Sequence, residues 1–332
     1  MIKIGLIGAG FMGSTHGAAY QNLAGKYRFQ VTAVADLDPN RAKQVAEKFG
    51  AAIYKTGEEL IANADVNTVD ICLPTYLHAG HAIKAMEKGL NALVEKPVCR
   101  EEAEAQALLK AHRETNTQVM VAQCIRFWDE YVYLKKLIDS KEFGAFCNAA
   151  FTRVSPRPEW AWEGWLHDPQ KSGSAALDLH IHDVDYVRYL FGDPERLQTE
   201  ISYRDGNAEH IFALYRYGEK VVTLEGGWDY PGEYPFEMAY RVNFEEASVV
   251  FSSCQKPTVK VYPFNGSVFS PEFSGYQAES GVSGGNIASL GGYYNEIRYF
   301  LESLTTGRDI ENATLEEAVE SFRLAMKEIE KA

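Results

Sequence analysis

A histidine and a carboxylate that could share a proton occur in the segment GSAALDLHIHDVD, just past the middle of the chain. Asp178 and His182 lie four residues apart, so a helix places them on one face, and Asp185 continues that face. A histidine beside a carboxylate is a general acid–base pair near neutral pH. His180 lies about 200° around such a helix from His182, which argues against a metal site made by these two histidines. The same residues could instead form the acidic N-terminus of a helix whose histidines are buried and structural. The catalytic and the structural interpretation both stay open at this point.

A glycine pattern near the first residue is typical of a dinucleotide-binding turn. LIGAGFMG places Gly8, Gly10 and Gly13 in the G-x-G-x-x-G spacing, after an apolar run and before a stretch that fits a helix. Gly8 allows a tight turn, Gly10 lets the backbone approach a pyrophosphate, and Gly13 lets the helix pack close to the strand. The helix N-terminus attracts the phosphate charge.

Asp36 closes the next predicted strand, FQVTAVAD, at the spacing that the glycine fingerprint requires. Its carboxylate would accept hydrogen bonds from the adenosine ribose hydroxyls and would repel a 2′-phosphate, which favours NAD over NADP. Arg41 lies five residues further on and could soften that preference. A strand–helix–strand unit without a ligand is the alternative.

Two more segments follow predicted strands, at the sheet edge where ligands bind in open α/β folds. In LPTYLHAGH, the Thr75 hydroxyl and the helix-start amides could hold phosphate or ribose, and His78 is a further cofactor contact. In VEKPV, Lys96 ends a core strand, and its ammonium could bind a substrate hydroxyl and stabilise the developing alkoxide. Helix capping by Thr75 and a solvated loop lysine are the structural alternatives.

Aromatic side chains and one arginine complete the candidate site. RPEWAWEGWLHD carries Trp160, Trp162 and Trp165 just before the helix with the acid–base pair. Aromatic faces suit the apolar faces of sugars, and Trp165 is expected to flank a nicotinamide; ordinary packing of an irregular loop is the alternative. Arg126 in CIRFW follows the sixth predicted strand and is a candidate for binding substrate or cofactor.

The order of elements predicts two sheets in one chain. Strands and helices alternate over residues 1–123, which is typical of an α/β doubly wound parallel sheet of the Rossmann type. In residues 124–312, strands follow one another through short turns, which predicts an α+β domain with a mostly antiparallel open sheet. A glycine- and serine-rich loop is expected over residues 265–285. The last helix, residues 313–332, is expected to pack back on the first domain.

Composition restricts the functional class. The chain has 332 residues and a formal net charge of -13, which argues against nucleic acid or an anionic membrane as the main partner. Its five cysteines form no C-x-x-C pair, so neither a zinc site nor a disulfide framework is expected, and a reducing cytoplasm fits. The sequence has neither a leader pattern nor an apolar run of membrane-spanning length. We expect a cytoplasmic protein without a metal.

The motifs GAGFMG, DLD, LPTYLH, EKP and SGSAALDLHIHDVD resemble those of the glucose–fructose oxidoreductase / inositol dehydrogenase / MocA family. They cover the chain from Gly8 to Asp185. The resemblance implies a Rossmann domain, a C-terminal domain with a predominantly antiparallel sheet, and a nicotinamide cofactor. His180 stands where the family often has glycine, and the family's three glycines before the helix read GSA here, at 173–175. Both departures could reshape the pocket.

The resemblance also implies a reaction, a reversible hydride transfer at a secondary hydroxyl of a sugar, cyclitol or sugar derivative. The catalytic group is then Lys96, Asp178 and His182: His182 takes the hydroxyl proton, Lys96 holds the oxygen, and Asp178 orients the site. The residues expected to bind NAD are Gly8, Gly10, Phe11, Met12, Gly13, Asp36, Leu73, Pro74, Thr75, His78, Glu95, Lys96 and Trp165. The residues expected to bind the substrate are Lys96, Arg126, Trp160, Trp162, Asp178 and His182.

Two other functions fit the same features. A redox-assisted glycoside hydrolase of this architecture would oxidise its sugar transiently, release an aglycone and recover its hydride. A regulator that senses NAD without catalysis would use the same fold, although such a protein needs no acid–base group. The sequence does not name the sugar, the carbon or the physiological direction.

Assembly can be inferred from the strand EHIFALYRY, which has apolar residues on both faces. An antiparallel sheet covered by water on one side normally has a polar face there. Helices of the same chain can cover one face, so we expect a homodimer or homotetramer joined through the other. Coverage by the loop at 265–285 is the alternative.

Overall fold

The computed structural model of the protein describes residues 1–273 and 290–330. They form two compact units. The first contains Met1–Phe127 and the described part of Tyr276–Glu320, and the second contains Trp128–Gly275 and the described part of Ser321–Ala332. The loop predicted for residues 265–285 lies outside the described residues from position 274 onward.

The first unit is built on a parallel sheet of six strands in the order β3-β2-β1-β4-β5-β6. Short apolar runs form these strands because both faces of the sheet are covered by helices. The predicted doubly wound fold is therefore confirmed. The strands are β1 (Ile2–Ile7), β2 (Phe29–Ala35), β3 (Ala52–Tyr54), β4 (Thr68–Ile71), β5 (Asn91–Glu95) and β6 (Val119–Ala122).

Helices alternate with these strands, and their ends follow local sequence signals. Thr56 caps the third helix, because its hydroxyl oxygen accepts a hydrogen bond from the Glu59 N–H at 3.1 Å. Gly89 follows the fourth helix with a φ of 77°, a backbone conformation that suits glycine. The helices are α1 (Phe11–Leu23), α2 (Pro39–Ala46), α3 (Gly57–Asn63), α4 (His78–Glu87) and α5 (Glu102–Glu114).

The chain returns to the first unit after the second sheet. Helix α9 (Gly291–Thr306) packs against α1, and the backbone at 313–314 pairs with β6 through the Val121 N–H and the Ala313 carbonyl at 2.9 Å. Helix α10 (Leu315–Glu330) begins in this unit and ends in the second. The domain boundaries drawn from the sequence stay a prediction.

The second unit is built on a seven-stranded sheet in the order β13-β12-β11-β7-β10-β9-β8. The pair β7–β10 is parallel and the other neighbouring pairs are antiparallel, so the predicted mostly antiparallel sheet is confirmed. The strands are β7 (Phe146–Pro156), β8 (Arg196–Arg204), β9 (Asn207–Tyr217), β10 (Lys220–Tyr230), β11 (Glu237–Phe244), β12 (Ala247–Ser252) and β13 (Val259–Pro263).

One face of this sheet carries the helix with the acid–base pair. That helix has two parts, because Ala176–His180 is a π-helix and α8 (Ile181–Phe191) continues it as an α-helix. The sequence prediction of a single α-helix is corrected here, since the i→i+5 pattern changes the facing of residues 176–180. The unit's other helices are α6 (Asp129–Ser140) and the short α7 (Pro169–Ser172).

A buried ion pair fixes α8 on the sheet. The Arg153 Nε of β7 donates to the Asp183 Oδ2 of α8 at 2.7 Å, and both side chains are buried. Arg153 also donates to the Tyr131 hydroxyl at 3.1 Å, which joins α6 to the same contact. A buried charge pair needs such additional hydrogen bonds to offset its desolvation.

The opposite face of the second sheet has no helix of the described residues over it. Along β9, the side chains of Ile211, Ala213 and Tyr215 are buried, whereas Phe212 is 50% exposed. A concavity of about 1090 Å³ lies on this open face, lined by strands β7 to β12 and including Phe212 and Arg241. In the described part of the chain, no helix is long and apolar enough to cross a membrane.

We propose that this open face joins copies of the chain into a homodimer or homotetramer, because an exposed aromatic in a large concave face favours association. Phe212→Asp should lower the mass measured by light scattering toward the 37.1 kDa of one chain. Ile53→Asp is the matched control, since Ile53 is 51% exposed on the first sheet. A monomeric mass for the unmodified protein at micromolar concentration would contradict the proposal.

Candidate active site

The glycine turn joins β1 to α1 with no room for side chains. Gly8 has a φ of 94°, and a Cβ there would lie 2.5 Å from the Cys72 carbonyl oxygen. A Cβ on Gly13 would collide with the Gly8 carbonyl oxygen. Both glycines therefore have the roles expected of them, the tight turn at Gly8 and the close packing of helix on strand at Gly13.

Gly10 differs from these two glycines because it faces open space. A Cβ there would meet only the Arg41 Nη1, at 4.0 Å. Gly10 is also the N-cap residue of α1, and no side chain of residues 1–273 or 290–330 forms a capping hydrogen bond with that helix end. A helix N-terminus that is open in this way suits a phosphate group. Phe11 and Met12, the next two predicted contacts, form the first turn of α1.

Asp36 lies at the carboxyl end of β2, against the glycine turn. Its Oδ2 accepts the Ala9 N–H at 2.7 Å and its Oδ1 accepts the Asp38 N–H at 2.8 Å. Two backbone donors hold the carboxylate in place, and the side chain stays partly exposed. Arg41 forms an ion pair with Asp38 at 3.5 Å.

The segment after β4 supplies a buried hydroxyl. Leu73 and Pro74 lead into a 3-10 turn, Thr75–Leu77. The Thr75 side chain is 2% exposed, and its Oγ1 has no hydrogen-bond partner among the described residues. A buried hydroxyl without a partner is costly, which fits a group that a ligand satisfies.

His78 is held by the protein rather than turned outward. Its Nδ1 lies 2.7 Å from the Pro97 carbonyl oxygen and its Nε2 lies 2.6 Å from the Leu73 carbonyl oxygen. Burial lowers the pKa of this imidazole, more strongly than the two carbonyl contacts raise it. His78 thus links the segment after β4 to the segment after β5, and its contact with a cofactor stays a prediction.

Lys96 stands out in the segment after β5. Its side chain is partly exposed, while every other residue from 92 to 99 is buried. The backbone around it is held on one side by Glu95, whose Oε2 accepts the Lys96 N–H at 3.1 Å. On the other side, the cis Lys96–Pro97 peptide leads to the carbonyl that His78 contacts.

Arg126 has a structural role inside the first unit. Its side chain is fully buried, and its Nη1 donates to the Glu317 Oε2 at 2.8 Å and to the Asn312 Oδ1 at 3.2 Å. Glu317 and Thr314 form reciprocal hydrogen bonds that cap the start of α10. These contacts fix the start of α10, and substrate binding by Arg126 stays a prediction.

Asp178 and His182 lie in an otherwise buried part of their helix. Both are partly exposed, and every other residue from 174 to 187 is buried. Asp178 lies in the π-helical part and His182 in the first turn of α8. A π-helical turn inside an α-helix is frequent at functional sites, because it turns side chains away from regular spacing.

Sequence analysis did not find what holds that π-helical turn. The buried His180 Nε2 lies 3.1 Å from the Glu328 Oε2 of α10, and the other Glu328 oxygen accepts the Tyr215 hydroxyl at 2.7 Å. A Cβ on Gly226 of β10 would collide with the His180 ring. The available signal was His180 itself, at a position where the family often has glycine. The residues that contact His180 are distant in sequence, so the sequence did not reveal them.

The three tryptophans lie in the same unit as the acid–base pair. Trp160 and Trp162 are exposed, at 48% and 39%. Trp165 is partly buried and packs against a hydrophobic cluster that includes Ala176 and Leu179 of the π-helix. The tryptophan loop is therefore attached to the segment that carries Asp178.

A second feature that sequence analysis missed is a buried polar cluster under the glycine turn. It consists of His16, Asp70, Cys72, Glu95 and Glu296, all in the first unit. Atoms of His16, Asp70 and Cys72 that could bind a metal lie within 4.8 Å of one another. The available signal was a histidine among the small residues of α1, in the stretch GSTHGAA.

Comparison with protein-family models matches both units. Residues 2–123 match the model of an oxidoreductase family with an NAD-binding Rossmann fold, GFO_IDH_MocA, and residues 131–250 match the GFO/IDH/MocA C-terminal domain. The chain belongs to the GFO/IDH/MocA oxidoreductase family. The family identification made from the motifs is confirmed.

Two of the curated proteins that the chain resembles are named as a sugar dehydrogenase and a cyclitol dehydrogenase. The chain is 30% identical over 214 residues to the levoglucosan dehydrogenase of Pseudarthrobacter phenanthrenivorans, which covers 60% of this chain and 54% of that protein. It is 29% identical over 192 residues to the inositol 2-dehydrogenase of Rhizobium meliloti, which covers 58% of this chain and 56% of that protein. The match thus spans a little over half the length of each relative.

A solved structure shows the same fold over the whole chain. A levoglucosan dehydrogenase in complex with NADH and levoglucosan superposes with a TM-score of 0.84 at 22% sequence identity, covering 100% of this chain and 97% of that one. At this identity the likeness establishes the fold.

Gly10→Ala should fold normally and bind NADH about tenfold or more weakly, because the added methyl group points into the open space before α1. Fluorescence titration of NADH measures the change. Gly80→Ala in α4 is the matched control, since a Cβ there meets nothing within 4 Å. Undiminished NADH affinity in Gly10→Ala would show that the pyrophosphate does not approach this glycine.

Proposed function

We propose that the protein is an NAD-dependent dehydrogenase that moves a hydride between the nicotinamide and a secondary hydroxyl, or ketone, of a sugar or cyclitol. One observation carries the proposal. Lys96, Asp178 and His182 are the partly exposed residues of two otherwise buried stretches, residues 92–99 and 174–187. An ammonium, a carboxylate and an imidazole that stay accessible on otherwise packed backbone can reach a ligand while that backbone holds them in place.

The cofactor would be held by the first unit. The open α1 N-terminus at Gly10 fits the pyrophosphate, the Asp36 carboxylate fits the ribose hydroxyls, and the unpartnered Thr75 hydroxyl fits a further polar group. Bound NAD supplies the hydride acceptor. Trp165 of the second unit is proposed to flank the nicotinamide.

The chain's own residues would handle the proton and the charge. A ring nitrogen of His182 takes the hydroxyl proton as the C–H electron pair leaves as hydride, so a ketone forms. The Lys96 Nζ donates a hydrogen bond to the substrate oxygen and stabilises the charge that develops there. Asp178 orients the imidazole or the substrate. In the reverse direction the same proton returns from His182 to the oxygen.

The substrate class rests on the relatives and on the tryptophans. The two relatives are named for levoglucosan and for inositol, both of which carry secondary hydroxyls on a ring. Trp160 and Trp162 are 48% and 39% exposed, and an accessible indole is a group on which the apolar face of such a ring can stack. We propose a polyhydroxylated ring as the substrate of this chain.

The compartment is proposed from the thiols. None of the five cysteines, all of them in the described part of the chain, forms a disulfide; Cys72, Cys99 and Cys124 are buried, and Cys147 and Cys254 are exposed. A reducing cytoplasm keeps exposed thiols from forming disulfides.

Lys96→Ala and His182→Ala should each lower turnover by about 10²-fold or more, the usual effect of losing an acid–base group, while NADH affinity stays close to normal. Lys84→Ala and His112→Ala are matched controls, since these residues lie in surface ion pairs with Glu58 and Glu316. A His182→Ala variant that oxidises its substrate at a normal rate would show that another group moves the proton.

The protein should prefer NAD to NADP by at least about tenfold, a difference of about 1.4 kcal/mol, because the Asp36 carboxylate repels a 2′-phosphate. Asp36→Ala should reduce the preference, and Arg41→Ala should increase it. Asp65→Asn, on an exposed acid of the same unit, should leave the ratio unchanged. Equal binding of both cofactors by the unmodified protein would contradict the assignment of Asp36.

A panel of cyclitols and sugars incubated with NAD tests the reaction class. Net NADH formation, read from its absorbance, is the expected result. Release of an aglycone without net NADH formation would instead indicate transient oxidation, and NAD binding with no turnover across the panel would indicate a sensor.

A further inference from the structure

The buried polar cluster under the glycine turn takes no part in the proposed proton and hydride transfer, although one member, Glu95, is also among the residues expected to contact NAD. Its members come from four elements of the first unit: His16 from α1, Asp70 from β4 with Cys72 just after it, Glu95 from β5, and Glu296 from α9. All are buried, and buried ionisable groups of this kind persist only when they are paired or serve a function.

His16 is placed between two carboxylates. Its Nδ1 lies 2.9 Å from the Asp70 Oδ2, and its Nε2 lies 3.2 Å from the Glu95 Oε1, out of line for a hydrogen bond. Asp70 also accepts the Tyr20 hydroxyl at 3.0 Å. The imidazole is therefore oriented at the Asp70 end and faces Glu95 with its other nitrogen.

Charge balance agrees with this geometry. Burial by itself would lower the pKa of His16, but the adjoining Asp70 and Cys72 side chains together outweigh it and hold the pKa well above its ordinary value. Burial raises the pKa of the Glu296 carboxyl well above its usual range. The raised pKa of His16 favours the protonated imidazole between the Asp70 and Glu95 side chains, and the raised pKa of Glu296 favours its neutral form.

Glu95 connects this cluster to the proposed catalytic lysine. One oxygen faces His16, and the other accepts the Lys96 N–H at 3.1 Å. Lys96 is the next residue. Its side chain is partly exposed, whereas the other residues from 92 to 99 are buried. A shift of the Glu95 carboxylate therefore shifts the peptide from which the Lys96 side chain starts.

We propose that His16 is a positioning residue for Lys96, acting through its charge contact with the Glu95 carboxylate. The inference rests on the proposed function of Lys96. Without the His16 ring, which lies 2.9 Å from the Asp70 Oδ2 and 3.2 Å from the Glu95 Oε1, the buried Glu95 side chain loses the group that it faces and must find another position. That change loosens the hydrogen bond to the Lys96 N–H and displaces the ammonium from the substrate oxygen.

The test compares His16→Gln, Glu95→Gln and the double variant with Tyr20→Phe. Tyr20→Phe removes a hydrogen bond at the Asp70 end of the same cluster without changing Glu95, so it controls for general loss of packing. Five quantities are measured for each protein: the thermal unfolding temperature, the NADH affinity, kcat and KM for the best substrate of the panel, and the rate of reductive methylation of Lys96, followed by mass spectrometry.

His16→Gln and Glu95→Gln should each lower kcat by about tenfold to a hundredfold with KM and NADH affinity nearly unchanged, the effect of a displaced reacting group. The double variant should be no worse than the poorer single variant, because both act through one contact. The Lys96 methylation rate should change by more than about threefold in both single variants and stay constant in Tyr20→Phe.

Additive losses in the double variant would overturn the proposal, as would an equal loss of kcat in Tyr20→Phe. A stoichiometric metal in the purified protein that is lost in His16→Gln would also overturn it, since His16 would then be a ligand. If the unmodified protein transfers no hydride on the panel, the proposed function fails. The methylation rate still tests the link from His16 to Lys96, and an unchanged rate in both single variants would refute it even if hydride transfer is observed.

Discussion

The close approach of α1 to β1 is the constraint on which the first unit depends. A side chain at Gly13 would collide with the Gly8 carbonyl oxygen. The helix can therefore pack this close to the sheet only because residue 13 is glycine. This approach leaves the helix N-terminus open at Gly10, where a phosphate fits. The same approach carries the next turn of α1 into the interior, so that His16 meets Asp70 and Glu95. The proposed cofactor site and the buried cluster therefore follow from one packing contact.

Exposure, rather than position in sequence, distinguishes the proposed catalytic residues. Lys96 leaves a buried strand end whose backbone is held by Glu95 and, through Pro97, by His78. Asp178 and His182 leave a buried helix that is held on its sheet by the Arg153–Asp183 pair. In both places, rigid and fully packed backbone supports a small number of polar groups, which is what a preorganised site requires.

This chain has His180 where its family often has glycine, and His180 is the last residue of the π-helical turn at 176–180. The His180 ring is accommodated because Gly226 has no side chain beneath it and because the Glu328 carboxylate of α10 pairs with its Nε2. A second contact, from the Ser321 hydroxyl to the Asp185 Oδ1 at 2.8 Å, binds the same helix to α8. The end of the chain thus contributes to the position of the acid–base segment.

Local sequence alone determined much of this protein. The glycine spacing, the strand and helix alternation and the Thr56 cap each depend on neighbouring residues, so they could be predicted, and the two-sheet fold and the family followed from them. The sequence also identified Lys96, Asp178 and His182 as candidate catalytic groups, although their roles stay predictions. Only the tertiary structure decided which histidines are buried and what they contact. His16 and His180 owe their environments to carboxylates 54 and 148 residues away, and no local pattern encodes a charge at that separation. The π-helical turn likewise depends on packing against β10 and α10, which regular helical periodicity does not anticipate.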